Sequence, residues 1–201
     1  MQSRLFAFTR VFARFFGLPL LVLAGVGIGP LAAADDAQDA WAALKQPGAI
    51  AVMRHALAPG TGDPAGFTLG NCTTQRTLDD RGRAQARKIG DRLRAEGVSF
   101  DRVLTSQWCR CRETARLLAL GAVEDLPALN SFFTQRARRD AQTRETLALL
   151  RARPADEAVL LVTHQVNITA LTGVYPASGE IVVGRMGQDG FEVSGTIEIE
   201  P

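Results

Sequence analysis

Two short strand-like runs, Ala49-Ile50-Ala51-Val52-Met53 and Val159-Leu160-Leu161-Val162-Thr163, stand out from a chain in which apolar and polar residues otherwise mix closely. Such runs, without polar alternation, are what strands covered on both faces require, as in the parallel sheets of α/β proteins. A weaker run at residues 102–105 predicts another strand. Between them the spacing becomes helical: Leu78, Ala86, Ile89 and Leu93 mark one stripe of a helix ending at Gly97. The strand at 102–105 leads into Ser106-Gln107-Trp108-Cys109-Arg110 and a second helix through Leu118, and a third is predicted over residues 134–151 with Leu147 and Leu150 inward. A short lead-in helix falls near residues 40–44, and another at 166–171 is stopped by Gly173. Strands at 180–185 and 191–199 form a closing hairpin. Strands alternating with helices predict a three-layer α/β/α sandwich, its sheet mostly parallel with an antiparallel edge.

The segment from Leu57 to Thr74 breaks this rhythm. Pro59-Gly60, Gly62-Asp63-Pro64, Gly66 and Gly70 exclude a regular element and leave a long loop beside the end of the first strand, where loops commonly serve a site. The chain's only two histidines lie at such strand ends, His55 after Arg54 and His164 after Thr163. In a parallel sheet the ligand crevice opens outside the carboxyl ends of the strands, so residues far apart in sequence meet there. Arginine beside an imidazole favours an anion, because a guanidinium presents a planar fork of donors to phosphate or carboxylate. A neutral imidazole keeps a lone pair that can attack phosphorus. The chemistry expected is phosphoryl transfer through histidine.

Composition narrows the compartment and the partners. Arg4, Arg10 and Arg14 precede an uncharged stretch, and Ala32-Ala33-Ala34 offers a small-residue cleavage site. Residues 1–34 therefore read as a cleavable signal peptide, with a membrane anchor facing the periplasm as the alternative, and residues 35–201 as a single domain. The formal charge is +2, from 23 basic and 21 acidic residues, and removing the leader leaves the remainder close to neutral. That gives no global field for nucleic acid. Three cysteines, Cys72, Cys109 and Cys111, would then meet an oxidising compartment. Cys109 and Cys111 are too close to pair comfortably at the start of a helix, so the expected bridge joins Cys72 to one of them and leaves one thiol free. A zinc site lacks the ligand spacing, so no metal and no cofactor are expected.

The combination of strand then Arg54-His55, strand then Ser106 and Arg110 followed by Glu113-Thr114-Ala115, and strand then Thr163-His164 resembles the histidine phosphatase superfamily, the phosphoglycerate-mutase-like proteins. The lead-in Arg76-x-Leu78-Asp79-x-x-Gly82-x-x-Gln85-Ala86 resembles that family too. The resemblance implies that His55 is the nucleophile and that Arg54, Arg110 and His164 surround the phosphate. Thr61, Gln75 and Arg76 are expected substrate-binding positions, with capping or bracing of the following helix as the alternative for Arg76. The runs Asn71-Cys72-Thr73-Thr74-Gln75-Arg76 and Gln107-Trp108-Cys109-Arg110-Cys111 resemble an exported bacterial subgroup that includes lipopolysaccharide core heptose phosphate phosphatases. A periplasmic phosphatase acting on a phosphorylated small molecule or envelope sugar is the function expected.

The chain departs from the family's pattern at several places. Ala56 replaces the glycine that usually follows the nucleophile, and Thr61 stands where many members place asparagine. Leu129-Asn130-Ser131 occupies the position of a Leu-x-Glu general acid. Loss of such an acid costs about a hundred- to ten-thousandfold with a poor leaving group. Asp63, Glu124, Asp125 and Glu180 are candidates to replace it. The alternative function is a non-catalytic phosphate-binding module that has lost its acid.

Overall fold

The computed structural model describes residues 31–201. The predicted leader lies outside the described residues except for its last four, which open helix α1 (Leu31–Leu44). Strand β1 (Ile50–Arg54) follows, then the long loop, then α2 (Asp80–Ala95), β2 (Arg102–Thr105), α3 (Cys109–Leu118) and β3 (Val123–Asp125). Helix α4 (Arg139–Ala152), β4 (Val159–Thr163), α5 (Gln165–Thr172), β5 (Ile181–Met186) and β6 (Phe191–Ile197) complete the domain.

The sheet runs β3-β2-β4-β1-β5-β6. β1, β2, β3 and β4 are mutually parallel, β5 runs antiparallel to β1, and β6 antiparallel to β5. Both faces are covered, which is why the central strands show no polar alternation. Ala51, Met53, Val103, Leu160 and Val162 pack with Ile89, Leu93, Ala115 and Leu118 of α2 and α3 and with Ala40 and Leu44 of α1. Their neighbours Ile50, Val52, Leu104, Val159 and Leu161 pack on the opposite side with Leu150 of α4 and Ile168 of α5. Each fully buried Leu or Ile contributes about 1.5–3 kcal/mol, so the two layers hold the strand ends firmly in register.

Three elements differ from the sequence expectation. β3 was not anticipated, because Val123-Glu124-Asp125 is a three-residue edge with little apolar content. Ion pairs from Arg102 to Glu124 and from Arg112 to Asp125 hold it instead. The third helix begins at Arg139 rather than at 134, and the line it buries is Gln142, Thr146 and Leu150, with Leu147 only half covered. Two of those three are polar: Gln142 donates from Nε2 to the carbonyls of Ala128 and Asn130, which an apolar stripe cannot reveal. The lead-in helix is also much longer than residues 40–44.

Helix α2 matters most to the site. The Asp79 carboxylate caps its start by accepting from the Gly82 amide at 2.7 Å. A Cβ on Gly82 would lie 1.9 Å from the Leu57 carbonyl oxygen, so only glycine lets the helix approach the chain just past His55. One turn on, buried Gln85 accepts from the Leu57 amide and donates to the Ser178 and Ile199 carbonyls, stapling that chain to the far edge of the sheet.

Candidate active site

His55, Ser106 and His164 each follow a parallel strand at its carboxyl end; the sheet order brings the two histidines to one pocket, with Ser106 buried behind His164. The cavity measures about 400 Å³. Arg54, His55, Thr61, Arg76, Arg110 and His164 line it, six of the seven residues expected. Gln75 is the exception and does not line it. Its buried amide donates to the Thr68 carbonyl and accepts from the Cys109 amide, so it braces the loop against the start of α3.

His55 is buried, and its Nδ1 lies 2.8 Å from the Ala56 carbonyl oxygen. A carbonyl can only accept, so the proton sits on Nδ1 and the lone pair on Nε2. Nε2 faces Arg110, whose Nε donates to it at 3.2 Å. Burial, then the positive charges of Arg110, Arg76 and Arg54, hold the imidazole well below its ordinary pKa despite the Ala56 bond. His55 is therefore neutral at physiological pH, with an unprotonated Nε2 whose lone pair accepts from Arg110. The second imidazole is held by the same rule. Arg110 Nη2 donates to His164 Nδ1 at 3.3 Å, leaving Nε2–H for the Ser106 hydroxyl at 2.8 Å. Ser106 in turn bonds the Asn130 side-chain oxygen at 3.2 Å. Burial and Arg110 also keep His164 well below the usual histidine value.

Arg110 is the hub. Besides both histidines, its Nη1 lies 2.7 Å from Asp63 Oδ1 and its Nη2 3.3 Å from Asp63 Oδ2, in an ion pair almost closed to solvent. Burial pulls the Asp63 carboxyl upward, but this pair and hydrogen bonds from Trp108 Nε1 and the Arg76 amide outweigh it and hold the group below the aspartate range. Arg54 donates to the Pro176 carbonyl at 2.9 Å, and its buried Nε has no partner. Arg76 donates to the Gly62 carbonyl at 2.8 Å and to that of Ala58, while the same guanidinium faces the cavity. It is both brace and pocket wall, and burial beside Arg110 brings it down to about 10.

The departures from the family pattern are accommodated differently. Ala56 is fully buried with Ala58, Leu78 and Ala86, and its amide donates to the Thr114 hydroxyl, so its methyl group fits without disturbing the loop. Ser131 lines the pocket where the acid was expected. Of the four replacement acids, Glu124 and Asp125 sit in exposed ion pairs at the sheet edge and Glu180 accepts from the Ala177 amide. Asp63 alone among them lines the cavity. Phe67, Trp108, Phe133 and Tyr175 give the cavity apolar walls. Sequence reasoning did not place Phe67, Phe133 or Tyr175 there, since isolated aromatics in loops carry no periodic signal.

The bridge forms between Cys72 and Cys109, with Cα atoms 5.6 Å apart, and ties the loop's far end to the first residue of α3. Cys111 is the free thiol, buried 3.5 Å from His164 Nε2, and burial pushes it up to about 12, leaving it unreactive. Among the described residues no cluster of three His, Cys, Asp or Glu has the spacing of a metal site.

Residues 50–133 match the model of the histidine phosphatase superfamily, branch 1. The six-stranded sheet and the two strand-end histidines agree with that similarity over the matched segment. The protein histidine phosphatase SixA, solved with tungstate, is 19% identical with a TM-score of 0.50, covering 75% of this chain and 96% of SixA. The α-ribazole phosphatase of Shigella flexneri is 19% identical with a TM-score of 0.54, covering 76% and 100%. A phosphoserine phosphatase from Entamoeba histolytica, in complex with 3-phosphoglyceric acid, is 13% identical with a TM-score of 0.56, covering 75% and 97%. No curated protein sequence matches the chain. At these identities the structures share the fold, and their substrates differ from one another.

Proposed function

We propose that the protein is an exported, metal-independent phosphatase that hydrolyses a phosphate ester or anhydride of a small molecule, envelope sugar phosphates included, through a phosphohistidine on His55. One observation carries this: the Ala56 carbonyl fixes the His55 proton on Nδ1 and leaves Nε2 unprotonated in the pocket, held by Arg110 Nε until phosphate takes that guanidinium, with Arg54 and Arg76 facing the same cavity. Phosphoryl transfer needs positioning and positive donors around the equatorial oxygens, and these groups supply both in a low-dielectric setting. The match of residues 50–133 to the histidine phosphatase model supports the reaction class. Export rests on the basic, apolar and small-residue order of the leader. No helix among the described residues is long and apolar enough to cross a membrane.

The test is phosphate release from 4-nitrophenyl phosphate, an ester that needs little help from an acid, with acid quenching to trap the phosphoenzyme. Turnover with label on His55 is the expected result. Tight phosphate binding without release or label would instead establish the alternative reading, a phosphate-binding module.

A further inference from the structure

Given the phosphatase reading, an alkyl ester requires a proton on its departing oxygen, and the usual supplier's position holds Ser131. A serine hydroxyl is too weak an acid for that task. His164 is neutral, with its one N–H turned to Ser106 and its Nδ1 accepting from Arg110. Asp63 remains. Its carboxylate lies on the terminal edge of the Arg110 guanidinium, across Nη1 and Nη2, the edge a phosphate would take with its own oxygens. Two other anchors hold it at the wall independently of Arg110: Trp108 Nε1 at 3.0 Å from Oδ2 and the Arg76 amide at 3.1 Å from Oδ1. A carboxyl that loses Arg110 to phosphate therefore stays in the pocket, beside the bound group.

We propose that Asp63 is a catalytic residue, the proton donor to the leaving oxygen, and that the protein acts on phosphate monoesters of alcohols. The incoming dianion takes Arg110 from Asp63 and lies against it, and both changes favour the protonated carboxyl. The charged and titratable groups around it are Arg110 and His164 beyond the strand ends, Arg76 ahead of α2, and Arg54 with His55 after β1. In the first step His55 Nε2 bonds to phosphorus, the phosphorus–oxygen ester bond breaks, and the Asp63 proton passes to that oxygen to release the alcohol. In the second, water attacks the phosphohistidine and Asp63 takes its proton. The phosphorus–nitrogen bond breaks, inorganic phosphate leaves, and histidine and carboxylic acid are restored. Gly60, Gly62 and Gly66 lie at positive φ on either side of Asp63, turns that set its carboxyl at the pocket wall.

The test compares leaving groups in the parent protein and in Asp63→Asn, which keeps the side chain's size and one acceptor. kcat/KM is measured for 4-nitrophenyl phosphate, whose phenolate leaves unaided, and for 2-glycerol phosphate, whose alkoxide does not. Loss of a general acid is expected to cost about a hundredfold or more with the alcohol ester and about tenfold or less with the aryl ester. Equal losses with both would reduce Asp63 to a brace for Arg110 and overturn the proposal. Should Asp63→Asn fold poorly, the parent alone decides: a donor in place keeps the two esters within about a hundredfold, and a far steeper preference for the aryl ester refutes it. Either failure leaves the phosphohistidine on His55 standing, whereas absence of turnover and label in the parent removes the phosphatase reading itself.

Discussion

The floor of the pocket and its wall are built by opposite means. The floor consists of His55 and His164, with Ser106 bracing His164 from behind, at the ends of three parallel strands, all buried and backed by two apolar layers. The wall is the loop between β1 and α2, with little regular structure, held by the Cys72–Cys109 bridge, by Arg76 on two of its carbonyls and by the Asp63–Arg110 pair. The floor's geometry follows from packing that the whole fold shares, so it is rigid at small local cost. The wall owes its shape to a few polar and covalent ties, any of which can be removed singly. The contrast assigns attack on phosphorus to the floor, and phosphate exchange and leaving-group handling to the wall.

The hardest break falls on the floor. His55→Ala is expected to remove the phosphoenzyme and cut turnover by roughly four orders of magnitude or more, with thermal stability close to the parent's. Quench-trapped label and a melting curve check it together; activity near the parent's would take His55 out of the nucleophile role.

A break in the wall shows first in stability. The Cys72–Cys109 link closes a loop of sequence separation 37, for which chain entropy predicts about 4 kcal/mol. Replacing both cysteines by serine should lower the melting temperature accordingly and raise KM more than it lowers kcat, because the wall loosens while the floor remains. Thiol titration of the denatured, unreduced parent should find one reactive group, Cys111. Three free thiols in protein matured in an oxidising compartment would contradict the pairing.

Arg110 joins floor and wall, and its loss should be felt in both. Arg110→Ala removes donors to His55, to His164 and to the incoming phosphate, an expected loss of about a hundred- to a thousandfold in kcat/KM. Phosphate affinity, read by competitive inhibition, should fall in parallel. It also leaves Asp63 nearly buried without its counter-charge, so the variant should melt below His55→Ala. Unchanged phosphate inhibition would show that Arg110 does not hold the phosphate.

The same division governs what the sequence alone could reveal. The strand-end histidines were legible because apolar runs mark strands buried on two faces, and topology then fixes where those strands end; Arg110 was legible only through the resemblance to the histidine phosphatase family. The disulfide was narrowed to Cys72 with one of two partners; α3 begins at Cys109 and turns Cys111 inward toward His164, which decided between them. Gln75 was misplaced because an amide side chain serves a backbone brace and a ligand equally well, and only its partners tell which. β3 and the polar buried line of α4 escaped because ion pairs and buried amides leave no hydrophobic period. Asp63 was one carboxylate among four until the fold sent Glu124, Asp125 and Glu180 elsewhere.

The gentlest probe separates floor from wall by pH. His55 and His164 are buried neutral, with pKa values held well below the ordinary 6.5, so the unfolded chain binds protons that the folded one does not. Stability from these two groups is complete above pH 6.5 and falls as pH drops below it, by at most about 1.4 kcal/mol per pH unit for each histidine. Asp63 has a lowered pKa against an ordinary 3.8, so its contribution is present above that value and is lost only at more acid pH. Denaturation midpoints between pH 7 and pH 5 should thus report the floor, and those below pH 4 should include the wall. His164→Gln should roughly halve the slope in the first window and leave the Asp63 contribution in the second. A slope between pH 7 and pH 5 unaltered by that substitution would mean that His164 takes up its proton in the folded state, and the neutral, Arg110-bound imidazole would have to be abandoned.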